Sequence, residues 1–195
     1  MLVILSEFNK MVQGELYNCF DTQLVLLRQR ASDILYTMNT LPPARDEEKY
    51  ILMKTLLKSD IVNLKLNTPF SCEYGLNVKL GKDCVIDYGC IFLDYGIIQI
   101  GDRCNFGPGV MVSTAVKASP KVERLQGLEN TMPVVIGNDV WIGAGSVINA
   151  GVIIGNGTAI APESVVTRNI PDNCVASGNP AQVVKWLDDD DDIIL

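Results

Sequence analysis

A period of six restricts this chain more than any other feature. Ile136, Ile142, Ile148, Ile154, Ile160 and Val166 follow one another at six-residue intervals. The position two before each reads Val134, Val140, Ser146, Val152, Thr158 and Ser164, and the position after it Gly137, Gly143, Asn149, Gly155, Ala161 and Thr167. Six is neither the period of about 2 that marks a strand nor the roughly 3.6 of a helix. It is a repeat-architecture period. Three hexads close one triangular turn of a parallel β-solenoid. Each aliphatic residue then points into a narrow prism and stacks on its equivalent one turn on, as Ile136 would on Ile154. Glycine and small residues fit the corners, where a larger side chain or a negative φ would clash.

A weaker copy runs earlier, through Leu80, Ile86 and Phe92, then, after a shift of two residues, Ile100, Phe106 and Val112. The shift predicts a bulge or small loop at a corner near Asp94–Gly96. Beyond Val112 the series would continue at Ala118, Arg124 and Asn130, which do not extend an aliphatic column. Residues Ser113–Met132 are therefore predicted to leave the solenoid as a loop and return to it. Long excursions from a rigid scaffold are where function concentrates.

The first third has a different rhythm. Leu24, Leu27, Ala31, Ile34, Leu35, Met38 and Leu41 lie on one helical face, and Pro42-Pro43 ends that helix. A second amphipathic stretch over Asp46–Lys58 turns Ile51, Leu52, Thr55 and Leu56 inward. The chain thus divides into an N-terminal helical segment (1–60), a mainly β solenoid (61–187) with its protruding loop (113–132), and an acidic, disordered tail (188–195). The 195 residues suffice for one domain with a real core, and 48% hydrophobic against 20% charged residues is a globular balance.

Composition removes several chemistries. The chain has no histidine, which excludes a Ser-His-Asp triad, a Cys-His pair and a His-ligated metal. Its six cysteines form no C-x-x-C pair and read as reduced core thiols, so no metal site is expected. A net charge of −7, with Asp188–Asp192 in a row, argues against nucleic acid. The apolar start, Met1–Leu5, lacks a basic flank and the ~7–15 apolar residues of a signal peptide. No stretch reaches the ~18 apolar residues of a membrane span. The reading is a soluble, cytoplasmic protein with no membrane partner.

Several ordered motifs resemble the maltose, galactoside and nodulation-type O-acetyltransferases of the hexapeptide-repeat superfamily. They are Gly14-Glu-Leu-Tyr17 followed by Asp21 and Leu24, Pro69-Phe-Ser-Cys-Glu-Tyr-Gly75, Leu93-Asp94, and Pro133-Val-Val-Ile-Gly-Asn-Asp-Val-Trp-Ile-Gly143. Val165-Val-Thr-Arg-Asn-Ile-Pro171 and Ala176-Ser-Gly-Asn-Pro-Ala181 complete the set. The resemblance runs from Gly14 to about Lys185. It implies a left-handed parallel β-helix, a homotrimer with sites between subunits, acetyl-CoA in a groove between prisms, and a small-molecule acceptor, usually a sugar hydroxyl. In that family the loop carries a Thr-Ala-Thr-His-Pro-like segment whose histidine takes the hydroxyl proton.

Here the segment reads Thr114-Ala-Val-Lys-Ala-Ser-Pro120, which puts Lys117 in the histidine's place. Asp87 stands where relatives have an asparagine lining the acceptor site, and Glu73 where they have a small or acidic residue. Lys117, Asp87 and Glu73 are the catalytic candidates. Lysine starts near ~10.4, so acting as a base requires a fall of ~3 pH units, which nearby carboxylates oppose. A carboxylate base paired with Lys117, and catalysis by positioning and oxyanion stabilisation alone, with a backbone N–H near Gly143–Ala144 as donor, are the other routes. Asp21, Asp94, Tyr95, Glu129 and Trp141 are assigned by resemblance to the acceptor. Ala144, Pro162, Thr167, Arg168 and Lys185 are assigned in the same way to the coenzyme, with Gln182 at a position often basic in relatives. Three functions follow: O-acetyl transfer with Lys117 in place of histidine, a repurposed isomerase- or cyclase-like acid–base site without CoA, or a non-catalytic trimeric scaffold.

Overall fold

The computed structural model describes residues 5–188. Of the acidic run only Asp188 is within that range, and the expectation of a disordered tail falls outside the described residues. Helix α1 (Glu7–Gln13) precedes α2 (Thr22–Thr40) and α3 (Asp46–Leu57), and then come short parallel strands wound into a three-sided solenoid. No helix among the described residues is long and apolar enough to cross a membrane.

Register defines the three faces. On the first, Leu66, Ile86, Phe106, Ile142, Ile160 and Ala176 stack in column. The second stacks Cys72, Phe92, Val112, Ile148 and Val166. The third stacks Leu80, Ile100, Ile136, Ile154 and Ile170. Apart from the half-buried Leu66, Cys72 and Leu80 of the first turn, these column residues are buried. Each buried aliphatic residue contributes ~1.5–3 kcal/mol by leaving water. Phe70, Phe92 and Phe106 stack edge to face at 5.2 Å and fill the wider early turns.

The spacing between columns shows where the chain is free to vary. First face to second takes six residues in every turn, from Leu66–Cys72 to Ile160–Val166. Third to first also takes six, from Leu80–Ile86 to Ile170–Ala176. Second to third takes eight (Cys72–Leu80), eight (Phe92–Ile100), twenty-four (Val112–Ile136), six (Ile148–Ile154) and four (Val166–Ile170). Every insertion therefore falls at one corner, here called the second. The shift expected at Asp94–Gly96 is there, and an equal one at Glu73–Asn77 lies a turn before it.

The third corner is held by a side-chain ladder. The backbone N–H groups of Lys82, Asp102, Asn138 and Asn156 donate to Oδ1 of Asp102, Asn138, Asn156 and Asp172, at 3.0, 2.8, 2.8 and 2.7 Å. A hairpin of Cys174–Gly178 and Ala181–Trp186 closes one end of the prism. Helices α2 and α3 close the other through Ala31, Leu35, Met38, Met53, Leu56 and Leu57, which join the solenoid core.

The inward face of α2 is as its periodicity predicts, with Leu24, Ala31, Leu35 and Met38 buried. That of α3 is rotated. Its buried residues are Lys49, Met53, Leu56 and Leu57, while Ile51 is 54% exposed and Thr55 faces solvent. The helix enters the core shared with α2 and Ile61 through Met53, Leu56 and Leu57, with Leu52 half-buried against it, so Leu52 and Leu56 turn inward as expected and Ile51 and Thr55 do not.

Candidate active site at the second corner

Two successive passages of the second corner carry the phrase acid-Tyr-Gly, Glu73-Tyr74-Gly75 and Asp94-Tyr95-Gly96, and a third copy, Asp87-Tyr88-Gly89, stands at the first corner. The acids of the second-corner pair face opposite ways. Asp94 is fully buried and accepts the backbone N–H groups of Glu73 (3.0 Å), Tyr74 (2.8 Å) and Asn77 (3.2 Å). Burial pushes its carboxyl up to about 6 even against those donors. Asp94 thereby shapes the turn that aims Glu73 outward. Assigned from the sequence to the acceptor, it is instead enclosed by backbone, and acts through Glu73.

The third passage of this corner is the long excursion. It is an antiparallel hairpin, Ala115–Lys117 against Leu128–Thr131, with a short helix α4 (Lys121–Leu125) at its tip. Tyr17–Asn18 adds a third strand beside Leu128–Thr131. Gly96 lets the hairpin sit close, since a Cβ there would lie 2.9 Å from the side chain of Thr131. Gly96 N–H donates to Thr114 Oγ1 at 2.8 Å, and Thr131 Oγ1 donates to the Met11 carbonyl at 2.6 Å, tying the excursion to the solenoid and to α1.

In this small sheet Tyr17, Glu129 and Lys117 are directly opposed across three strands. The Tyr17 hydroxyl donates to Glu129 Oε2 at 3.1 Å, and Lys117 Nζ donates to Glu129 Oε1. The Glu129 side chain is only 12% exposed, whereas that of Lys117 is 64% exposed. An enclosed carboxylate needs a cation or donors. Glu129 has both, and Lys117 is paired with it.

Glu73 is the remaining carboxylate of the cluster. Burial raises its proton affinity, as does Glu129, while Arg28, a hydrogen bond with Tyr95 and Lys117 pull the other way, and burial prevails. Arg28 Nε lies 3.8 Å from Glu73, but its two terminal nitrogens donate to the Tyr74 hydroxyl (2.7 Å) and the Cys19 carbonyl (2.8 Å). Tyr74 and Tyr95 meet edge to face at 6.1 Å. Burial drives the Tyr74 phenol up to about 12 and those of Tyr17 and Tyr95 higher still, so all three stay protonated donors. A groove of about 410 Å³ opens beside Glu73, lined also by Arg28, Ser32, Tyr36, Ser71 and Cys72. A carboxylate with raised proton affinity at the edge of a groove suits proton transfer.

Comparison with known proteins places this arrangement. Residues 10–60 match the maltose acetyltransferase hexapeptide capping motif, and residues 133–168 match the bacterial transferase hexapeptide of six repeats. A Saccharomyces cerevisiae protein named as an acetyltransferase is 40% identical over 181 residues, 92% of each chain. The crystal structure of a maltose O-acetyltransferase from Clostridium difficile 630 superposes with a TM-score of 0.92 at 34% identity, over 95% of this chain and 99% of that one. A hexapeptide-repeat acetyltransferase from Vibrio cholerae, solved with acetyl coenzyme A, gives 0.87 at 31% identity, over 95% and 100%. The chain belongs to the hexapeptide-repeat acetyltransferases.

In this acetyltransferase the other residues assigned from the sequence lie at separate places. Asp21 caps α2, accepting from Gln23 (2.9 Å) and Leu24 (3.3 Å). Asp87 lies at the first corner, one face away from Glu73 and Lys117, where it accepts from Asn67 Nδ2 at 2.9 Å and from Tyr88 N–H at 2.8 Å. Within one chain it is therefore not beside Lys117. Trp141 sits half-buried on the first face between Asn105 and Ala159. Thr167 and Arg168 are exposed at the second corner, two turns past the hairpin. Lys185 is on the closing hairpin opposite Val175 and is engaged there.

Ala144 and Pro162 stack one turn apart at the first corner. Gly143 leaves no room there, since a Cβ would lie 2.4 Å from the Pro162 nitrogen. Among the described residues, Gly143 and Gly145 donate to Ile160 and Pro108, but the half-buried Ala144 N–H enters none of the backbone bonds holding this corner. A smooth strip with an open amide suits the amide-bearing arm of a coenzyme.

Tyr17, Arg28 and Tyr74 join this cluster and were not among the residues singled out from the sequence. Tyr17 stood inside a quoted motif without a role. Arg28 lies off the apolar stripe of α2, and nothing local signals that this side meets the second corner. The repeated acid-Tyr-Gly phrase was the available clue to Tyr74.

Proposed function

We propose that this protein transfers the acetyl group of acetyl-CoA to a small polar acceptor that enters at the second corner. The sugar hydroxyl of the maltose O-acetyltransferase it resembles is the starting acceptor class. The observation that carries the reading is the cluster of Glu73, Tyr95, Lys117 and Glu129 where the family places its catalytic loop. Glu73 serves as proton acceptor. Lys117, bound to Glu129, sets the loop and supplies positive charge, and does not act as the base. The Ala144–Pro162 strip holds the coenzyme arm, while Thr167, Arg168 and Lys185 serve its far end.

These coenzyme residues lie at two corners and on the closing hairpin, and Asp87 and Trp141 lie on a different side of the prism from Lys117. A homotrimer with its sites between subunits unites them, Asp87 and Trp141 coming from the neighbour to face the acceptor. Asp21 then acts by orienting α2. We place the enzyme in the cytoplasm, acting without a metal.

Calorimetric titration with acetyl-CoA and with free CoA tests this reading, alongside sedimentation of the unliganded protein. Micromolar binding at one site per chain of a trimer is the expected result. Absence of binding at millimolar acetyl-CoA overturns it. It would favour a repurposed acid–base site or a scaffold, to which the pairing of Lys117 with Glu129 lends weight.

A further inference from the structure

The proton acceptor available at this corner constrains what can attack. An alcohol keeps its proton until about the ~15.7 of water, so a hydroxyl nucleophile must lose that proton as it attacks and needs a strong, well-placed base. This chain has no imidazole, and of the two lysines of the excursion Lys117 is paired with Glu129 while Lys121 opens α4 at the tip. What remains is Glu73, a carboxylate. A neutral amine attacks through its lone pair with no proton to remove first. Its nitrogen then carries a positive charge and sheds a proton far more readily than an alcohol, since even free ammonium groups titrate near ~8–10. A carboxylate is adequate for that later step.

The surroundings of Glu73 favour the same class. Glu129 adds negative charge beside Glu73, and Lys117 and Arg28 add positive charge from the hairpin and from α2. Lys117 is spoken for by Glu129, and the terminal nitrogens of Arg28 turn to Tyr74 and Cys19. The groove-facing side of Glu73 is thus left for a hydrogen-bond-donating group such as the N–H of a neutral amine. Elsewhere in the cluster, Glu129 already holds a primary amino nitrogen, that of Lys117, with Tyr17 completing its coordination.

We infer that the acceptor is a primary amine, as on an amino sugar or a small alkylamine, and that Glu73 receives the proton its nitrogen releases. The inference rests on the acetyl-transfer reading above. Glu73 accepts the proton as the carbon–nitrogen bond forms and the thioester carbon–sulfur bond breaks, and returns it to the departing sulfur. The products are the acetamide and CoA thiol, with no oxidant or reductant involved.

The test uses acceptor pairs that differ in one heteroatom: glucosamine and glucose, galactosamine and galactose, putrescine and 1,4-butanediol. Thiol release gives the rate, and mass spectrometry with neutral hydroxylamine separates amide from hydroxylamine-labile ester. The expected result is amide from at least one amine, with kcat/KM at least about 100-fold above its hydroxyl counterpart. Glu73→Gln should lower kcat for that amine by about 10²-fold, leave acetyl-CoA binding nearly unchanged, and remove from the low-pH limb of the kcat profile the part that Glu73 contributes, leaving the part set by protonation of the amine. Ester from the hydroxyl compounds with no amide overturns the amine assignment and leaves acetyl transfer standing, as does a Glu73→Gln variant with an unaltered pH profile. No amide from any amine while calorimetry shows bound acetyl-CoA also overturns it. Loss of acetyl-CoA binding itself would overturn both readings, and the titration detects that separately.

Discussion

Replacing Asp94 by asparagine should abolish one segment of the protein's pH–stability curve. The wild-type carboxyl is fully buried and rises from its ordinary 3.8 to about 6 because burial outweighs three backbone donors. Because the folded value is the higher one, the folded state binds the extra proton between pH ~4 and ~6. The stabilisation is fully present below pH ~4 and is lost as pH rises through about 6. At ~1.36 kcal/mol per pH unit this amounts to ~3 kcal/mol, or ~6–12 °C in Tm for a chain of this size. The side-chain amide of the Asp94→Asn variant would keep one oxygen for the Glu73 and Tyr74 amides and point its NH₂ at the Asn77 amide, a loss of ~1–3 kcal/mol that does not vary with pH. Urea or thermal unfolding of Asp94→Asn and wild type, at one protein concentration and in steps from pH 4 to 7, isolates the difference. Wild type should lose ~3 kcal/mol relative to the variant across that interval. A difference that stays flat would mean that the N–H donors or entering water fully compensate burial. The claim that burial outweighs the donors at Asp94 would then be wrong.

Three further perturbations address the same corner and its neighbour. Lys117→Met strips the enclosed Glu129 of its cation, and the Lys117→Met/Glu129→Gln double variant should recover part of the loss. A urea double-mutant cycle should give a coupling of ~1 kcal/mol, kept small by the exposure of the lysine, and a coupling of zero would refute the pair. Tyr17→Phe removes a donor to a buried carboxylate and should cost ~1–2 kcal/mol in the same assay with m unchanged. Gly143→Ala drives a Cβ to 2.4 Å from the Pro162 nitrogen. It should cost ~1–3 kcal/mol by parting two rungs, and weaken acetyl-CoA binding measured by calorimetry.

The solenoid was legible because few architectures place an aliphatic residue at every sixth position, and every column residue from Ile136 to Val166 is buried as read. The shift at Asp94 was legible too, but its twin at Glu73 was not, since Cys72 does not announce itself as a prism residue beside Leu80. The inward face of α3 was partly misread because its sequence offers two apolar stripes, and only docking on α2 and Ile61 selects between them. The pairing of Lys117 with Glu129 depends on hairpin register, which the intervening α4 conceals. Counting columns would have separated Asp87 and Trp141 from Lys117. Asp87 follows Ile86 on the first face, whereas Lys117 follows Val112 on the second. The resemblance gathered them into one site without saying that they stand at different corners.

The confinement of every insertion to one corner explains how the site can change while the fold does not. A rung bonds only to the rungs above and below it, so added residues at a corner leave the ladder intact if the next strand re-enters in column. Two corners keep their six-residue spacing through all turns, and they carry the asparagine–aspartate ladder and the Ala144–Pro162 strip. The second corner absorbs spacings from four to twenty-four residues. A change of side chain there disturbs neither of the others. It follows that the coenzyme strip and the acceptor corner are separable. Exchanging Ser113–Met132 for a relative's histidine-bearing excursion should alter which acceptor reacts and leave acetyl-CoA affinity within a few-fold of the parent. A loss of coenzyme binding in such a chimera that still folds would show the two corners to be coupled after all.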